Sequence, residues 1–419
     1  MRVLVLGAGV VGVASAWFLR QAGHEVVVID RQPAVALETS FANGGQISAS
    51  HAEPWANPGA PRRILKWLGR ADAPLAYRPR AELHQWLWAA AFLRECLPAR
   101  THANIRTIVA LALHSRRLLK QLRRDLALEY DCAERGILHF YTDRHEFEAS
   151  QAPAALMREL GCVRRQLTPR QAVELEPALA SIEPLIVGAD YSADDESGDA
   201  HRFAQELAAR CMDRGVQFRF ATTIAAVRTN DGRAVGADLI DAAGRRQFEA
   251  ADAIVVCLGV ESVAIVRPLG LRLLIYPGKG YSATYAVIDA ARAPQVSLTD
   301  DQYKLVFSRF GDRFRVAGTA EIAGWGQELD AQRCAILTRR TEQLFPGACD
   351  YANPQYWAGR RPVTPSNVPY LGATRIAGLY LNAGHGTLGW TLAAGSGQMI
   401  AQAVSGASPS VELPLRQGC

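Results

Sequence analysis

Apolar positions at the start of the chain fall in two short runs flanking a helical period. Residues 3–6 are consecutive apolar residues, the pattern of a strand buried on both faces of a parallel sheet. GAGVVG follows and leads into a helical pattern over 13–21, closed by Gly23; 26–29 is a second apolar strand, with Asp30 at its carboxyl end. Two later stretches repeat this grammar. Residues 253–258 (AIVVCL) form another wholly apolar strand, ending in Gly259 and predicted to return to the first sheet. Residues 379–382 form a short strand that passes through a glycine turn at 383–386 into a helix over 390–404 rich in small residues.

Between these units the period changes. Helices are predicted over 81–96, 104–130, 146–160, 203–214 and 330–345, and short strands over 136–141, 186–191 and 216–221. Residues 223–235, 237–240 and 247–250 read as a small antiparallel set, and 271–276, 280–285, 304–309 and 314–318 as strands of a second sheet. Residues 39–45 are small, polar and glycine-rich, hence a loop. Its adjacent Gly44 and Gly45, between Asn43 and Gln46, point to a close backbone approach to something flat, with a plain surface turn as the alternative.

The glycine turn carries specific chemistry. Gly7, Gly9 and Gly12 serve a tight turn, a close approach to a pyrophosphate and a close helix–strand contact. The pyrophosphate would rest on the open N–H groups of the helix N-terminus. Asp30, eighteen residues past Gly12, is placed to hydrogen-bond a ribose hydroxyl. A membrane segment over 3–19 is the competing explanation, and it fails: glycines crowd the start, only Arg2 is basic, and the pattern resumes at once as a βαβ unit. No N-terminal address is expected, so the expected location is cytoplasmic, or peripheral on the inner face of the cell membrane.

At 419 residues, two domains are expected. The eight cysteines are scattered without a CxxC pair, which argues against a zinc site or a disulfide framework and suits a reducing compartment. A net charge of +5 is modest, and no nucleic-acid partner is expected, but residues 62–124 hold fourteen Lys/Arg against three acids. Trp55, Trp67, Trp86 and Trp88 lie in or beside this stretch, and Arg116, Arg117, Lys120, Arg123 and Arg124 cluster late in its second helix. Two readings stay open: a solvated basic face on a helical insert, or a surface that meets anionic lipid.

Taken together, GAGVVGVASAW (7–17), IDRQP (29–33), ETSFANGGQIS (38–48), DDESGD (194–199), YPGKGYS (276–282), GTAEIAGW (318–325), GRRPVTP (359–365) and NAGHGTLGWTLAAGSGQ (382–398) resemble the D-amino acid oxidase-like family of FAD-dependent amine oxidoreductases, over essentially the whole length. The resemblance implies an α/β fold: a Rossmann-type FAD-binding domain (1–75, 196–265 and 355–408) interrupted by a mixed-sheet substrate domain with a helical insert (76–195 and 266–354). It implies bound FAD and oxidative deamination of D-amino acids to 2-oxo acids and ammonia, by hydride transfer from Cα to the flavin N5. Residues expected at the cofactor are Gly7, Ala8, Gly9, Val10, Val11, Gly12, Asp30 and Arg31 in the first unit, and Ser40, Asn43, Gly44, Gly45, Gln46 and Ile47 in the loop. Ile224, Cys257, Leu258, Gly259 and Arg360 follow, then Gly384, His385, Gly386, Thr387, Leu388 and Gly389.

In GRRPVTP, Arg361 occupies a position resembling the family's carboxylate-binding arginine, as a planar guanidinium suits that task. Arg360 and Arg309 rank second. Tyr276 and Tyr281 could donate phenol O–H bonds to the same carboxylate or be core aromatics. Gln46 falls where some relatives carry a polar active-site side chain; a loop hydrogen bond is the alternative. His385 would neighbour the flavin, and the helix starting near Gly389 would aim its positive end at the flavin ring. Covalent flavin attachment needs a cysteine where Arg361 stands, so FAD is expected to be non-covalent. Where relatives carry an acid after TP, this chain has Ser366-Asn367. Open alternatives are a dehydrogenase passing electrons to a quinone or other carrier, an oxidase using O₂, a D-proline or D-hydroxyproline type dehydrogenase, and a non-catalytic flavin- or NAD-binding module.

Overall fold

The structure is a computed structural model that describes residues 1–67 and 73–411; residues 68–72, within the basic stretch 62–124, and Cys419 lie outside the described residues. Its strands fall mainly into two sheets. The first has six strands in the order Tyr370–Ala373, Leu379–Ala383, Ala253–Val256, Arg2–Leu6, Glu25–Ile29 and Gln217–Arg219. All neighbours are parallel except the edge pair of Tyr370–Ala373 with Leu379–Ala383. Wholly apolar strands are buried here because helices cover the sheet. Helices Val10–Gln21, Ala200–Asp213 and Gly389–Ser405 share one core with Val3, Val5 and Val255. Small residues bring the helices together: a Cβ on Gly397 would lie 2.8 Å from the Ala14 backbone. The expected antiparallel set is also present, as Thr223–Asn230, Arg233–Ile240 and Arg246–Ala250.

The second sheet is mixed and nine-stranded. From one edge it runs Gln355–Val363, Tyr276–Ala286, Arg313–Ile322, Leu305–Phe310, Ser297–Asp300, Ile137–Tyr141, Gly188–Ser192 and Arg165–Leu167, with Leu75–Tyr77 paired to Arg313–Ile322. Two expectations change here. The boundary at 355 fails, because Gln355–Val363 pairs along its length with Tyr276–Ala286; its Pro362 is tolerated on an edge strand, where one side needs no ladder bonds. Residues 271–275 are not a strand, and Tyr276 opens one that runs to Ala286.

The long helix is Pro98–Leu126, and it packs into the core of the first sheet. Its Ile105, Ile108, Val109, Ala112 and Leu119 enter the same core as Trp17, Leu392 and Met399. Ser115 Oγ accepts from the Gly395 N–H at 2.9 Å. Three cations on its basic face have internal partners. Arg116 Nη1 pairs with Asp195 at 2.7 Å, Arg123 Nη1 with Glu196 at 2.9 Å, and Lys120 lies 3.8 Å from Glu196. Asp195 and Glu196 are buried, and Asp195 also accepts from Ser48 and Ser50. Three of the five late cations therefore close an internal ion-pair seam rather than meeting lipid or bulk water.

Candidate functional site

A cavity of about 650 Å³ lies between the two sheets, and the glycine turn forms one wall. The turn is shaped by close backbone contacts. Gly7 has φ +105°, and a Cβ there would sit 2.6 Å from the Cys257 carbonyl oxygen. A Cβ on Gly12 would sit 1.9 Å from the Gly7 carbonyl oxygen. Gly9 differs: its Cβ would meet only Ser40 Oγ, at 3.5 Å, so the space it leaves is open to the cavity. Asp30 closes the turn from below, accepting from the Ala8 N–H at 2.6 Å and the Gln32 N–H at 2.8 Å, and burial raises its carboxyl above the ordinary range.

Helix Val10–Gln21 starts at Gly9 with no side-chain cap, and helix Gly389–Ser405 starts at Leu388, also uncapped. Both starts line the same cavity. First-turn N–H groups have no partners within their own helix, so each start offers donors and the positive end of a dipole to an electron-rich group. One ligand with a pyrophosphate and a carbonyl-bearing ring fits both, and a flavin dinucleotide meets that description. Of the expected cofactor residues, Ala8, Gly12, Ile47 and Gly384 lie behind the wall, and the others line it. His385 is buried with Nε2 3.2 Å from Ser396 Oγ, and burial lowers its pKa to about 4, leaving it neutral. Arg31 is paired with Glu38 at 2.6 Å.

The loop before residue 47 ties the two sheets together. Ser308 Oγ donates to the Gly44 carbonyl at 2.8 Å, and Arg315 Nη1 to the Asn43 carbonyl at 3.3 Å. Gln46 Nε2 donates to Ser297 Oγ and Thr299 Oγ1, each at 3.1 Å. Gln46 lines the cavity, yet its amide nitrogen is a loop anchor.

Arg361 is the cavity's unspent cation. Its guanidinium lies over Gly280, where a Cβ would fall 1.5 Å from Nη1. Nη1 is buried without a hydrogen-bond partner, and Arg361 forms no ion pair among the described residues. Burial brings its pKa down to about 10, so it stays charged at neutral pH. Arg360, by contrast, pairs with Glu261 at 2.8 Å. A buried guanidinium without a counter-ion is costly, and an arriving carboxylate removes that cost.

The remaining candidates separate. Tyr276 is a core aromatic outside the cavity wall: its hydroxyl donates to Glu82 Oε2 at 2.8 Å, and its ring lies 6.0 Å from that of Trp325. Tyr281 lines the cavity, but its hydroxyl donates to Glu321 Oε2 at 2.8 Å. Neither phenol keeps its proton for a carboxylate. Arg309 lies off the cavity and donates to the carbonyls of Gly311 and Ala290, which removes it from the site. Sequence reasoning passed over His51, Glu53, Trp55 and Lys304, all on the cavity wall. They sit in loops and turns, where no local pattern marks a residue as facing a cavity. Among the described residues, no His, Cys, Asp or Glu cluster is placed to hold a metal ion.

The family model described as DAO, FAD dependent oxidoreductase, matches residues 2–403. The chain is similar to a protein named D-amino acid dehydrogenase from Dechloromonas aromatica, 53% identical over 414 residues, covering 99% of each chain. It is also similar to one of the same name from Paramagnetospirillum magneticum, 47% identical, covering 99% of this chain and 97% of that one. Among solved structures, glycine oxidase from Geobacillus kaustophilus superposes with a TM-score of 0.76 at 22% identity, covering 99% and 97% of the two chains. L-proline dehydrogenase from P. horikoshii does so with 0.76 at 16% identity, covering 99% and 95%.

Proposed function

Because this chain belongs to the DAO family of FAD-dependent oxidoreductases, we propose that it oxidises free D-amino acids to 2-oxo acids and ammonia and passes the electrons to a quinone or another acceptor than oxygen. The observation that carries this reading is the unpaired Arg361 guanidinium in the same cavity as two uncapped helix N-termini. FAD, when bound, supplies the two-electron acceptor that takes a hydride from the substrate Cα. The chain's own residues do the rest. The N–H groups of Gly9 and Val11, beside the Val10 N–H that donates to Ser40 Oγ at 3.2 Å, would hold the pyrophosphate, and those at the start of Gly389–Ser405 would stabilise negative charge in the ring system. Arg361 grips both oxygens of the α-carboxylate and so fixes the direction of the Cα–H bond. The amine, as its free base, supplies the electron pair that becomes the C=N bond, and water then releases ammonia. Neutral His385 adds no competing positive charge.

The experiment is anaerobic: the yellow protein should lose its flavin absorbance on addition of a D-amino acid and keep it with the L-enantiomer. A colourless preparation that takes up no FAD, or a flavin indifferent to every D-amino acid, overturns the reading. Rapid peroxide release in air would favour the oxidase alternative.

For the acceptor, one surface supports a membrane quinone. Helix Leu83–Glu95 turns Leu83, Trp86, Leu87 and Leu93 outward, with exposures of 75%, 51%, 51% and 55%, and Leu97 follows on the same face. The spacing is that of a single helical stripe. The neighbouring helix Ala60–Trp67 shares its core through Ala60 and Ile64 and exposes Leu65 between Arg62 and Lys66. Apolar side chains rimmed by cations suit an anionic lipid surface. Among the described residues, no helix is long and apolar enough to cross a membrane. A Trp86→Asp/Leu93→Asp variant should sediment several-fold less with anionic vesicles; unchanged sedimentation would remove the surface from consideration.

A further inference from the structure

We propose that the cavity holds a second recognition site, centred on Glu53, that reads the substrate's side chain and favours one ending in a cationic hydrogen-bond donor over an anionic one. This rests on the D-amino acid reading above.

Residues 46–57 form a strap across the second sheet. At one end Gln46 is bonded to Thr299, whose register partner is His139, and the His51 ring stacks on the His139 ring at 4.9 Å and 26°. At the other end the Trp55 indole lies 3.5 Å from where a Gly278 Cβ would be, and Gly278 is the register partner of Arg361. Strands Leu305–Phe310 and Arg313–Ile322 run beneath the middle of the strap, where Glu53 faces the cavity. A substrate gripped at Arg361 therefore has Trp55 beside it and Glu53 further along the strap.

Charge around Glu53 leaves it as the unspent group. One carboxylate oxygen accepts from Asn57 Nδ2 at 3.1 Å, and no further hydrogen bond or ion pair links Glu53 to the described residues. Two of the nearby cations are paired elsewhere, and a third, Arg63, acts on Glu53 through its charge alone. Lys304 Nζ lies 3.1 Å from Asp301 and 3.8 Å from Glu146, and Arg164 pairs with Asp190 at 2.9 Å. Arg63 donates to Asn57 Oδ1 at 2.7 Å, so the Asn57 amide stands between it and Glu53. His51 has no hydrogen bond or ion pair among the described residues, and its pKa is lowered where it faces the cavity beside His139. Burial also raises the Glu53 carboxyl above the ordinary range, a cost that a bound cation offsets. Among the described residues the cavity thus presents the Arg361 guanidinium and the Glu53 carboxylate, neither in an ion pair, matched in sign to the two ends of a basic amino acid.

The test compares anaerobic flavin reduction by D-lysine, D-norleucine and D-glutamate in holoenzyme and in Glu53→Gln. The native enzyme should rank them in that order. In Glu53→Gln, with FAD still bound, the D-lysine to D-norleucine ratio of kcat/KM should fall about ten- to a hundredfold, the span of one charge-assisted hydrogen bond. Binding of 5-aminopentanoate against pentanoate, read from the shift in flavin absorbance, checks the arm without turnover. If D-norleucine reduces the flavin but the ratios are unmoved by Glu53→Gln, the arm falls and the D-amino acid reading stands. If no D-amino acid reduces the flavin yet 5-aminopentanoate binds in a Glu53-dependent way, the arm stands and that reading falls. A native preference for D-glutamate overturns the arm outright.

Discussion

Replacing Arg361 by alanine should lower kcat/KM for free D-amino acids by about two to four orders of magnitude while leaving FAD in place. The estimate follows from the loss of a bidentate pair, each charge-assisted bond contributing about 1.5–3 kcal/mol. The unusual expectation concerns stability. Among the described residues Arg361 has no counter-ion, and its Nη1 is buried without a partner. Its removal strands no carboxylate, so the melting temperature should hold or rise. A structural arginine would behave in the opposite way, because breaking a buried ion pair leaves the other charge behind. Arg361→Lys should recover only part of the loss, since an ammonium lacks the planar fork. Gly280 adds a second handle, because Gly280→Ala would place a methyl 1.5 Å from Nη1. Near-normal kinetics in Arg361→Ala, or a steep fall in melting temperature without a change in KM, would remove the assignment.

How far the sequence could be read depended on whether a constraint was local. The βαβ unit at the amino end was legible because its strands, turn and helix lie within thirty residues, and Gly7 and Gly12 are required by contacts with Cys257 and inside that unit. The strand that carries Arg361 was not legible as a strand. Two arginines and Pro362 break its apolar alternation, and its edge position in the sheet is what permits them. Arg361 itself was reached through family resemblance; its lack of a partner is a tertiary fact. The basic cluster at 116–124 was visible as charge, but its counter-ions Asp195 and Glu196 lie some seventy residues away, so composition pointed outward where the fold points inward. Tyr276 and Tyr281 show the same limit. Their hydroxyl partners, Glu82 and Glu321, are distant in sequence, and neither pairing leaves a trace in the local pattern.

Gly12→Ala and Gly9→Ala should both yield pale protein, for different reasons that two measurements separate. At Gly12 the added methyl would lie 1.9 Å from the Gly7 carbonyl oxygen, a backbone atom that cannot swing aside. Helix Val10–Gln21 would have to lift from the turn, and overpacking of this kind costs about 1–3 kcal/mol or more. FAD content and the melting temperature of the apoprotein should therefore fall together. At Gly9 the methyl would meet only Ser40 Oγ at 3.5 Å, so the apoprotein should melt close to the native temperature. What the methyl would occupy is the open space at the start of this helix, beside the Val11 N–H, where the cofactor's pyrophosphate is expected. FAD affinity should fall at least about tenfold with little loss of stability, because the approach of phosphate oxygens to those amides depends on a bare backbone. A Gly9→Ala variant that binds FAD like the native protein would move the pyrophosphate away from this helix N-terminus. A Gly12→Ala variant with native melting behaviour would mean that the turn yields where its backbone contacts say it cannot.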